Sequence, residues 1–554
     1  MDAASDTHAL RFFALGGLGE VGMNCLVLEQ RGEVILVDCG VTFDGRGLGV
    51  DVIHPDFSAL DAYEGRVRGV VLTHGHEDHI GGLPYFLRRH DVPIYGPAYA
   101  LELVRHRMAE HEVLSYARLV ETRVGEPFSV GSFTLEPIQV THSIPDATAL
   151  AIRTDAGVVI HSGDFKIDPD QGDGARFDEE RLGALGDDGV ALLFSDSTNV
   201  DSEGTTGSEA DVEGALAEIV RAAPSAVVVG LFASNVHRLR MLGKIAKACG
   251  RRLVLFGRSV ETHAKVARAT GHLAWPSDLV FPADRVSELP RAAILGVATG
   301  TQGEARAALA RMAFGEHPSF VAQPGDTFVL SSRIIPGNEP DVFAIMSELL
   351  RRGAVVKTRA TDKGIHVSGH AHRGEQRRML ELVRPRAFVP VHGTLHHLQR
   401  HAALAREMGV ADVLAIENGQ VVALGASGLA KAGGVPHGRV HTWAGRPVPV
   451  DVIRERRIMA ETGALFVTVP VRRGGVHSSA VRIVSIGVAD AATMTALTGE
   501  IARELTLDEL ENQRLGPPLS ETPMLAEAAR LAARRVVHRA LSIKPVTKAE
   551  ILRE

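Results

Sequence analysis

The chain is poor in cysteine, and it lacks both long apolar runs and a leader-like start. Only three of its 554 residues are cysteines, Cys25, Cys39 and Cys249, and they lie far apart in the sequence. This count excludes a disulfide framework and a cysteine-based zinc motif, and it suits a reducing cytoplasm. No apolar run approaches the ~18 residues of a membrane span, and the first residues carry no basic or apolar leader segment. We therefore expect a cytoplasmic protein with no membrane partner.

A net basic charge is also missing, because 67 acidic residues outnumber 60 basic ones and give a formal charge of −7 at pH 7. That balance argues mildly against nonspecific binding of nucleic acid, but charge can be concentrated locally. Residues 237–270 contain one acid, Glu261, and a stripe of nine basic residues: Arg238, Arg240, Lys244, Lys247, Arg251, Arg252, Arg258, Lys265 and Arg268. Such a stripe suits a track for phosphate groups, and the alternative is a solvated helix face.

What the chain does have is a dense group of possible metal ligands at residues 73–79, Thr-His-Gly-His-Glu-Asp-His. A short apolar run precedes it, which predicts a buried strand that ends in a loop. His74 and His76 are two residues apart, so an extended segment points both side chains the same way. Asp78 and His79 follow where the chain must turn. Mixed imidazole and carboxylate ligands suit divalent metals, and this spacing predicts two ions about 3.5–4 Å apart.

Four side chains cannot complete two coordination shells, so further ligands are expected at the ends of other strands. Short apolar runs stop at a histidine or aspartate beside Gly or Ser at three more places, His142, Asp164 and His392. Asp164 can bridge two metals, because a carboxylate has two oxygens. Asp38 ends a similar run, and we expect it to orient a ligand histidine rather than to bind metal itself.

One glycine pattern points elsewhere. Gly17-x-Gly19-x-x-Gly22, with Asp38 about 20 residues on, matches the dinucleotide-binding fingerprint. That fingerprint requires a helix after the glycines, whereas residues 23–37 have the pattern of two strands joined by a glycine turn. We therefore exclude NAD binding and interpret the glycines as a strand entry near the active-site face.

The pattern of apolar runs predicts several domains. Residues 1–204 alternate short strands with helices, which favours an α/β fold with αβ/βα layers. Residues 205–355 form a second α/β unit. Because a metal ligand returns in the segment after it, 356–425, we expect this unit to be inserted into the first. A Gly-rich passage, 426–447, is interpreted as a linker, and a small C-terminal α/β domain follows at 448–554.

These motifs resemble the metallo-β-lactamase fold superfamily and, more closely, its β-CASP nucleases. The β-CASP resemblance rests on residues 192–199 (Leu-Leu-Phe-Ser-Asp-Ser-Thr-Asn), 366–370 (His-Val-Ser-Gly-His) and 390–393 (Pro-Val-His-Gly). Shorter segments at 14–20, 141–146, 232–235 and 336–338 are similar to the bacterial ribonuclease J branch. The resemblance implies a metallo-β-lactamase αβ/βα sandwich, an inserted β-CASP α/β domain, and a small C-terminal α/β domain that supports dimerisation.

The resemblance also implies a role for each candidate residue. The expected metal ligands are His74, His76, His142 and Asp164 for one ion, and Asp78, His79, Asp164 and His392 for the other. The two divalent ions, Zn or Mn with Mg as a further choice, would activate water for attack on a phosphodiester. Asp196 is the candidate general acid or base, His370 would stabilise charge on the phosphoryl oxygens, and Asp78 belongs to the same catalytic group.

Residues 366–370 also suit a phosphate, because Gly369 lets backbone N–H groups approach an anion closely. The expected substrate contacts are Ser234, Asn235, His366, Val367, Ser368, Gly369 and His370. The alternative for Ser234 and Asn235 is a helix N-cap, and both roles are compatible, since helix N-termini bind phosphate. The resemblance implies a pocket for a terminal 5′ monophosphate, one nucleotide from the scissile bond.

The leading interpretation is a metal-dependent ribonuclease, both a 5′-to-3′ exonuclease and an endonuclease, acting in RNA maturation and mRNA decay. Its partners would be single-stranded RNA with a 5′ monophosphate, a second copy of the chain in a homodimer or higher oligomer, and proteins of an RNA-decay assembly. Alternatives are a DNA-directed or mRNA 3′-end-processing β-CASP nuclease, and a small-molecule metallohydrolase, which would need no inserted domain. An inactive RNA scaffold is disfavoured, because no expected metal ligand is missing.

A structural calcium site is described in relatives of this family. Asp51 matches one ligand position of that site. The segment Val440-His441-Thr442-Trp443 lacks the acid expected there, so the sequence supplies only part of the ligand set.

Overall fold

The structure, a computed structural model, describes residues 9–43, 47–171, 175–335, 337–472, 475–515 and 522–553. The first residues of the chain and Pro336, both used in the sequence analysis, lie outside these ranges. Two compact units are present, Met1–Thr42 with Ile53–Val440, and Phe43–Val52 with His441–Glu554. Within the described ranges no helix combines the length and apolarity needed to cross a membrane.

The first part of the chain alternates short strands with few helices. Its strands are β1 (Leu10–Gly16), β2 (Leu18–Gly19), β3 (Cys25–Gln30), β4 (Glu33–Val37), β5 (Val52–Pro55), β6 (Val67–Val71), β7 (Pro93–Gly96), β8 (Arg118–Glu121), β9 (Phe128–Val130), β10 (Phe133–Gln139), β11 (Thr148–Thr154), β12 (Gly157–His161) and β13 (Val190–Asp196). Its α-helices are α1 (Glu77–Ile80), α2 (Leu83–Phe86), α3 (Ala98–Glu110) and α4 (Glu179–Asp188). Strands β3 and β4 follow the glycine pattern directly, as predicted, where a dinucleotide site would need a helix.

The middle of the chain is a regular alternation of helix and strand. Its strands are β14 (Val227–Gly230), β15 (Arg252–Phe256), β16 (Ile294–Ala298), β17 (Thr327–Leu330) and β18 (Val355–Thr358). Its helices are α5 (Glu209–Ala222), α6 (Val236–Ala248), α7 (Arg258–Ala269), α8 (Ala308–Phe314) and α9 (Glu339–Arg351). The chain then continues with β19 (Ala387–Val391), β20 (Gly393–Thr394), β21 (Asp412–Val413), β22 (Gln420–Gly425) and β23 (Gly428–Gly434), and with α10 (Arg373–Val383) and α11 (Leu395–Glu407).

The C-terminal part has its own small set of elements. Its strands are β24 (Arg439–Trp443), β25 (Arg446–Pro447), β26 (Ala464–Arg472), β27 (Gly475–Val476), β28 (Arg482–Ile486) and β29 (Val546–Arg553). Its helices are α12 (Val450–Thr462), α13 (Ala491–Leu515) and α14 (Thr522–Leu541).

Two sheets of the first unit pack face to face. One has the strand order β23-β22-β1-β3-β4-β6-β7-β8, and the other has the order β21-β19-β13-β12-β11-β10-β9. Their inner faces share one apolar core, in which the rings of Phe12 and Phe194 meet edge to face with centroids 4.9 Å apart. Helix α3 packs on the outer face of the first sheet, and α4, α10 and α11 pack on that of the second. This is the predicted αβ/βα sandwich.

The second sheet contains strands from both sides of the middle segment. Strand β13 pairs in parallel with β19, with Asp196 opposite Val391. Side chains that follow these strands therefore lie at one edge of the sheet, although about 190 residues of chain separate them. The middle segment is thus an insertion that leaves the sandwich after β13 and returns to it before β19.

The inserted segment has a parallel sheet of its own, with the order β15-β16-β14-β17-β18. Alternate residues of β14 face opposite ways, so Val227 and Val229 join the core with α5, α6 and α7, while Val228 joins the core with α8 and α9. The predicted boundary at residue 355 falls on the first residue of β18, and the rest of that strand also belongs to the inserted sheet.

The structure corrects the linker predicted at 426–447. Residues Gly428–Gly434 form the edge strand β23, which pairs antiparallel with β22, and Arg439–Trp443 form β24. Glycine was a poor guide to a linker here, because the hydrogen bonds of a sheet come from backbone groups that glycine also carries. The residues Phe43–Val52, placed by sequence in the first domain, belong to the second compact unit.

The second unit is a small α/β layer. Strand β26 pairs with β28 and β29, and its residues Leu465, Val467 and Val469 pack against α13 and α14. The opposite face of this sheet leaves Phe466, Val484 and Ile486 exposed at 46%, 61% and 64%. Asp51 accepts a hydrogen bond from the backbone N–H of Ala444 at 2.8 Å. It takes part in no cluster of metal-ligand side chains among the described residues.

Candidate active site

The structure brings all seven predicted metal ligands together in two groups that share Asp164. One group is His74, His76, His142 and Asp164, and the other is Asp78, His79, Asp164 and His392. Within each group the ligand atoms lie within 4.8 Å of one another. The four ligands of the motif at residues 73–79 thus lie close to the three ligands that follow other strands.

The convergence follows from the strand directions. The residues 73–79 follow β6, Asp164 follows β12 and His392 follows β19, all at the same edge of the sandwich. His392 (φ 53°) and Asp38 (φ 62°) have left-handed backbones, which typically cost about 1–3 kcal/mol each at functional sites. Asp and His adopt this conformation more readily than most residues, but it is uncommon, so the surrounding fold holds both residues in it.

The hydrogen bonds of the rings determine where their protons lie. Thr73 Oγ1 donates to Asp38 and so accepts from Nδ1 of His74, 2.9 Å away. Nδ1 of His142 donates to the carbonyl of Gly369 at 2.6 Å. Nδ1 of His79 donates to Oδ2 of Asp38 at 2.7 Å. In the neutral rings of His74 and His142, Nε2 is then the unprotonated nitrogen. Burial would lower the pKa of His79, but Asp164 and Asp38 outweigh it and raise that pKa well above its usual range.

Two of these nitrogens, those of His74 and His142, face Nδ1 of His76 across a small space. Nε2 of His74 and Nε2 of His142 lie 3.0 and 3.1 Å from Nδ1 of His76. Burial lowers the pKa of His76 to about 4, and it lowers the pKa values of His74 and His142 well below their usual range. When the proton of His76 lies on Nε2, 3.1 Å from Oγ of Ser234, three lone pairs converge with no proton between them, and this donor set fits a divalent metal.

The second group carries its own charge balance. Burial would lower the pKa of His392, but Asp164 and Asp78 outweigh it and raise that pKa to about 10. Burial would raise the pKa of Asp164, but His392 and His79 hold it well below its usual range. Nε2 of His392 is buried 3.4 Å from Oδ2 of Asp78 without a well-aligned hydrogen bond. Positive charge is therefore needed here, and metal binding would release the protons that now supply it.

Asp196 and His370 form a pair beside the two groups. Oδ2 of Asp196 accepts from Nδ1 of His370 at 2.8 Å, while Oδ1 accepts from the backbone N–H and hydroxyl of Thr198. Burial would lower the pKa of His370, but the carboxylates of Asp196 and Asp164 outweigh it and raise that pKa. This geometry places a carboxylate, Asp196, where it orients the ring of His370.

The segment 366–370 lies between β18 and α10 without regular structure. Asn199 donates from Nδ2 to the hydroxyl of Ser368 at 2.7 Å and to the carbonyl of His370 at 3.1 Å. The same hydroxyl accepts from the backbone N–H of His370. Val367 packs against the apolar core of the first unit, so only its backbone remains to face a substrate.

Gly369 is needed for a reason that the sequence analysis did not give. A Cβ at this position would lie 2.7 Å from Oγ of Ser143 and 3.1 Å from Cε1 of His142. Because its carbonyl also accepts from His142, Gly369 sets the distance between the segment 366–370 and the metal ligands. Any side chain here would push the two apart.

Ser234 and Asn235 come from the inserted domain, at the start of α6. Oγ of Ser234 lies 3.1 Å from Nε2 of His76, so this serine contacts a metal-ligand ring directly. The side chain of Asn235 accepts from the backbone N–H of Arg238 and caps α6. Asn235 therefore has the N-cap role that the sequence analysis kept as an alternative.

The basic stripe does not act as one surface. Arg238 is 1% exposed and paired with Glu209, and Arg251 is 7% exposed and donates to four backbone carbonyls. Arg238 and Arg251 therefore cannot belong to the predicted phosphate track of nine residues, because both are buried inside the inserted domain and stabilise it.

Arg333 is a candidate phosphate-contacting residue that the sequence analysis did not identify. It is exposed, and its Nη1 donates to Oδ1 of Asn199 at 3.2 Å, beside Ser368. No acid among the described residues pairs with it. Gln302 donates to the Arg333 carbonyl and accepts from the N–H of Ile335, which fixes the backbone of this loop. A single arginine after β17 forms no sequence motif, so the sequence could not have indicated that Arg333 lies beside Ser368.

Three family models match successive parts of the chain. Residues 18–223 match the metallo-beta-lactamase superfamily, residues 224–349 match "Ribonuclease J, beta-CASP domain", and residues 354–415 match "Zn-dependent metallo-hydrolase RNA specificity domain". A solved structure, a protein of unknown function from Enterococcus faecalis V583, is similar with a TM-score of 0.53 at 16% identity. It covers 75% of this chain and 100% of that one, and it supports the fold alone. Fold and site thus define a metallo-β-lactamase protein with a β-CASP insertion.

Relatives at higher identity narrow this class. Ribonuclease J of Mycobacterium tuberculosis is 41% identical over 471 residues, which cover 84% of each chain. Ribonuclease J of Mycolicibacterium smegmatis is 38% identical over 503 residues, 90% of each chain. Ribonuclease J of Helicobacter pylori is 38% identical over 473 residues, 84% of this chain and 68% of that one. The chain belongs to the ribonuclease J family, which confirms the resemblance inferred from its motifs.

Proposed function

We propose that the protein is a metal-dependent ribonuclease that hydrolyses RNA phosphodiester bonds with two divalent ions. It removes nucleotides from 5′-monophosphate ends in the 5′-to-3′ direction and also cuts internally. The observation that carries this proposal is the pair of ligand groups sharing Asp164, with the segment 366–370 in contact with a ligand of the first group. A small-molecule hydrolase would have no use for the second feature.

The ligand groups divide the work between two ions. His74, His76 and His142 would hold one ion, Asp78, His79 and His392 would hold the other, and Asp164, which belongs to both groups, would serve both. Imidazole and carboxylate ligands suit Zn or Mn, with Mg as a further choice. When bound, the ions would polarise the phosphodiester and lower the pKa of a water molecule. Asp38 fixes the ring of His79 and, through Thr73, that of His74.

His370 donates a proton to the oxygen that leaves when the phosphodiester breaks. The carboxylates of Asp196 and Asp164 raise the pKa of the ring against the effect of burial, and Asp196 holds Nδ1, so Nε2 is the donating nitrogen. Asp196 acts through this ring. The general acid or base expected of Asp196 is thus assigned to the Asp196–His370 pair as a unit.

The terminal 5′ phosphate binds against the segment 366–370. Ser234, His366, Ser368 and His370 offer hydroxyl or imidazole donors, and the N-terminus of α6, capped by Asn235, adds a favourable dipole. Val367 and Gly369 contribute backbone N–H groups. Because Gly369 also contacts His142, the phosphate site and the metal site are held at a fixed spacing, which supports release of one nucleotide at a time.

We further propose a homodimer formed through the C-terminal sheet. Phe466, Val484 and Ile486 leave an apolar face on this sheet, and faces of this kind mark interaction sites. Larger oligomers and contacts with RNA-decay proteins, RNA maturation as a second role, and a cytoplasmic location stay predictions from the sequence. Light scattering that shows a monomer at micromolar concentration would contradict the dimer.

The decisive experiment uses metal-reconstituted protein and RNA labelled at its 5′ end. With 5′-monophosphate RNA we expect labelled mononucleotide, and with 5′-triphosphate RNA we expect only internal fragments. His76→Ala should abolish both, whereas His106→Ala, on the outer helix α3, should change neither. Internal fragments alone from both RNAs would contradict the exonuclease, and cleavage of the matching DNA but not RNA would favour a DNA-directed nuclease.

A further inference from the structure

Arg238 of α6 is a buried cation whose two terminal nitrogens, Nη1 and Nη2, are engaged beside the segment 366–370. Its Nη2 donates to both carboxylate oxygens of Glu209 at 2.9 Å. Its Nη1 donates to the carbonyl and the hydroxyl of Ser331 at 2.7 and 3.1 Å. The same Ser331 hydroxyl donates to the carbonyl of Ile365 at 2.5 Å. One guanidinium thus connects α5, α6, the end of β17 and the residue before His366.

The contact that matters most is the one between Arg238 and His366. Nη1 of Arg238 lies 3.1 Å from Nδ1 of His366. A guanidinium has donors and no acceptor, so Nδ1 must accept, and the proton of the neutral ring must lie on Nε2. Nε2 of His366 makes no hydrogen bond to any residue that the structure describes. It is therefore available as a donor to a bound ligand.

A chain of buried charges extends from this contact to the metal ligands. The backbone N–H of Glu209 donates to Oδ2 of Asp168 at 3.0 Å, and Nζ of Lys166 donates to the same oxygen at 2.6 Å. The backbone of Lys166 exchanges hydrogen bonds with Thr141, the neighbour of His142. We name Lys166, Asp168, Glu209 and Arg238 the buried charge network. Charges this deep are costly unless paired, so the network has one favoured arrangement.

We propose that Arg238 is a positioning residue for recognition of the RNA end: by donating to Nδ1 it holds His366 neutral, with the Nε2 proton available to the terminal phosphate. This inference rests on the proposed function and adds to it the residue that sets the form of the recognising ring. End recognition by His366 then depends on a directed hydrogen bond and not on the charge of an imidazolium.

The proposal has a consequence for pH. Burial, followed by the charge of Arg238, lowers the pKa of His366 to about 3. The other charged groups that act on this ring are Glu209 of α5, which opposes the shift, and Arg359 and Lys166, which add to it. His366 should therefore stay neutral throughout the range where a free histidine titrates, and binding of a 5′ phosphate should show no step from this ring between pH 5.5 and 8.

The test combines spectroscopy with binding, on the full metal-loaded chain. Protein with ¹⁵N-labelled histidine gives long-range ¹H–¹⁵N spectra that distinguish the two tautomers, and His366 is assigned as the signal missing from His366→Gln. We expect a neutral ring protonated at Nε2 in the wild type from pH 5.5 to 8. In Arg238→Gln we expect a mixture of the two neutral tautomers within that range, because burial still holds the pKa of the ring low. The Kd for uridine 5′-monophosphate should rise about tenfold, as for a lost hydrogen bond to a charged group.

Two further variants distinguish the loss of the contact between Arg238 and His366 from a folding defect. Glu209→Gln/Arg238→Gln removes both buried charges and avoids the unpaired carboxylate that Arg238→Gln leaves. Arg251→Gln is the matched control, since this buried arginine of the same domain donates only to backbone carbonyls. Both the double variant and the single variant should lose affinity for the nucleotide, and the control should keep it.

Several outcomes would overturn the inference. A wild-type His366 with its proton on Nδ1 would do so, as would an unchanged ring and unchanged affinity in a folded Arg238 variant. So would an equal loss of affinity in Arg251→Gln. Failure of the proposed function would give a different result. The wild-type protein would then bind uridine as tightly as uridine 5′-monophosphate. The His366 spectra would still show the Nε2 tautomer, and that tautomer would still change in the Arg238 variant.

Discussion

The metal ligands and the segment 366–370 are held in different ways, although Gly369 and His142 place them in contact. The ligands follow strands of one sandwich, and the rings of His74, His79 and His142 each have a hydrogen-bond partner of their own. The segment 366–370 has no regular structure and takes its shape from Asn199 and from Arg238 of the inserted domain. The ligand cluster therefore rests mainly on the strands of the sandwich, whereas the segment 366–370, which contains the proposed proton donor His370, also depends on how the insertion contacts it.

The largest effect should come from the residue that both metal groups share. In Asp164→Asn the bridging charge is lost between His79 and His392, so both ions lose a ligand. We expect exonuclease and endonuclease rates to fall about 1,000-fold or more, equal to ~4 kcal/mol of barrier. Single-turnover cleavage of labelled RNA measures this, with the exposed Asp61→Asn as control. Loss of only one of the two activities would contradict a common metal site.

A smaller effect should come from the carboxylate behind the ligands. Asp38→Asn removes the acceptor for His79 and weakens the alignment of Thr73 and His74. Metal affinity should fall about 10–100-fold, as for other residues that orient ligands. Competition with a chelator measures the affinity directly. An unchanged affinity would show that the strand ends alone fix the rings.

Changing the segment 366–370 should separate selection from chemistry. In His366→Ala the terminal phosphate loses one donor, so KM for 5′-monophosphate RNA should rise about tenfold, while internal cleavage stays within about twofold, under ~0.5 kcal/mol. Steady-state kinetics on 5′-monophosphate and 5′-hydroxyl RNA of one sequence give both values. An equal loss of activity on the two substrates would show that His366 does not act on the terminal phosphate separately from the metal ligands.

Acid should destabilise the sandwich through buried His401 of α11. Burial lowers the pKa of His401 to about 3, against 6.5 for a free ring. Between these values the unfolded chain binds a proton that the folded chain does not, so stability falls as pH drops below 6.5, by up to ~1.36 kcal/mol per unit. His401→Asn should reduce this slope between pH 6.5 and 4 in urea denaturation. An identical slope in the variant would assign the acid sensitivity to other groups.

The smallest effect is expected at Arg333. Arg333→Gln keeps a donor to Asn199 but removes a charge at the edge of the segment 366–370. Binding of RNA should weaken a few-fold and become less dependent on salt. Filter binding from 50 to 200 mM salt, with exposed Arg285→Gln of the same domain as control, measures the change. A slope equal to that of the wild type would show that Arg333 does not contact phosphate.

The sequence predicted the metal ligands better than their surroundings, for a physical reason. The spacing of four residues indicates a metal site: His74, His76, Asp78 and His79. The periodicity of apolar residues predicts the αβ/βα layers. The partners of the segment 366–370 could not be found this way. Arg238 looked like one cation of a basic stripe, because burial and its pairing with Glu209 are properties of packing between distant elements. The Gly-rich strand β23 failed for the same reason, since its pairing with β22 is not encoded by side-chain pattern.

The pairing of β13 with β19 also has a consequence for the order of events on the ribosome. About 190 residues separate these strands, so at 5–20 residues per second the later strand is made roughly 10–40 s after the earlier one. During that interval the edge of β13 has no neighbour, and Asp78 and His79 lack His392. Only complete synthesis and folding of the insertion closes the metal cluster. A nascent chain that has not yet reached β19 would thus have an open sheet edge and an incomplete ligand cluster, so the site is completed only after the inserted domain has been made.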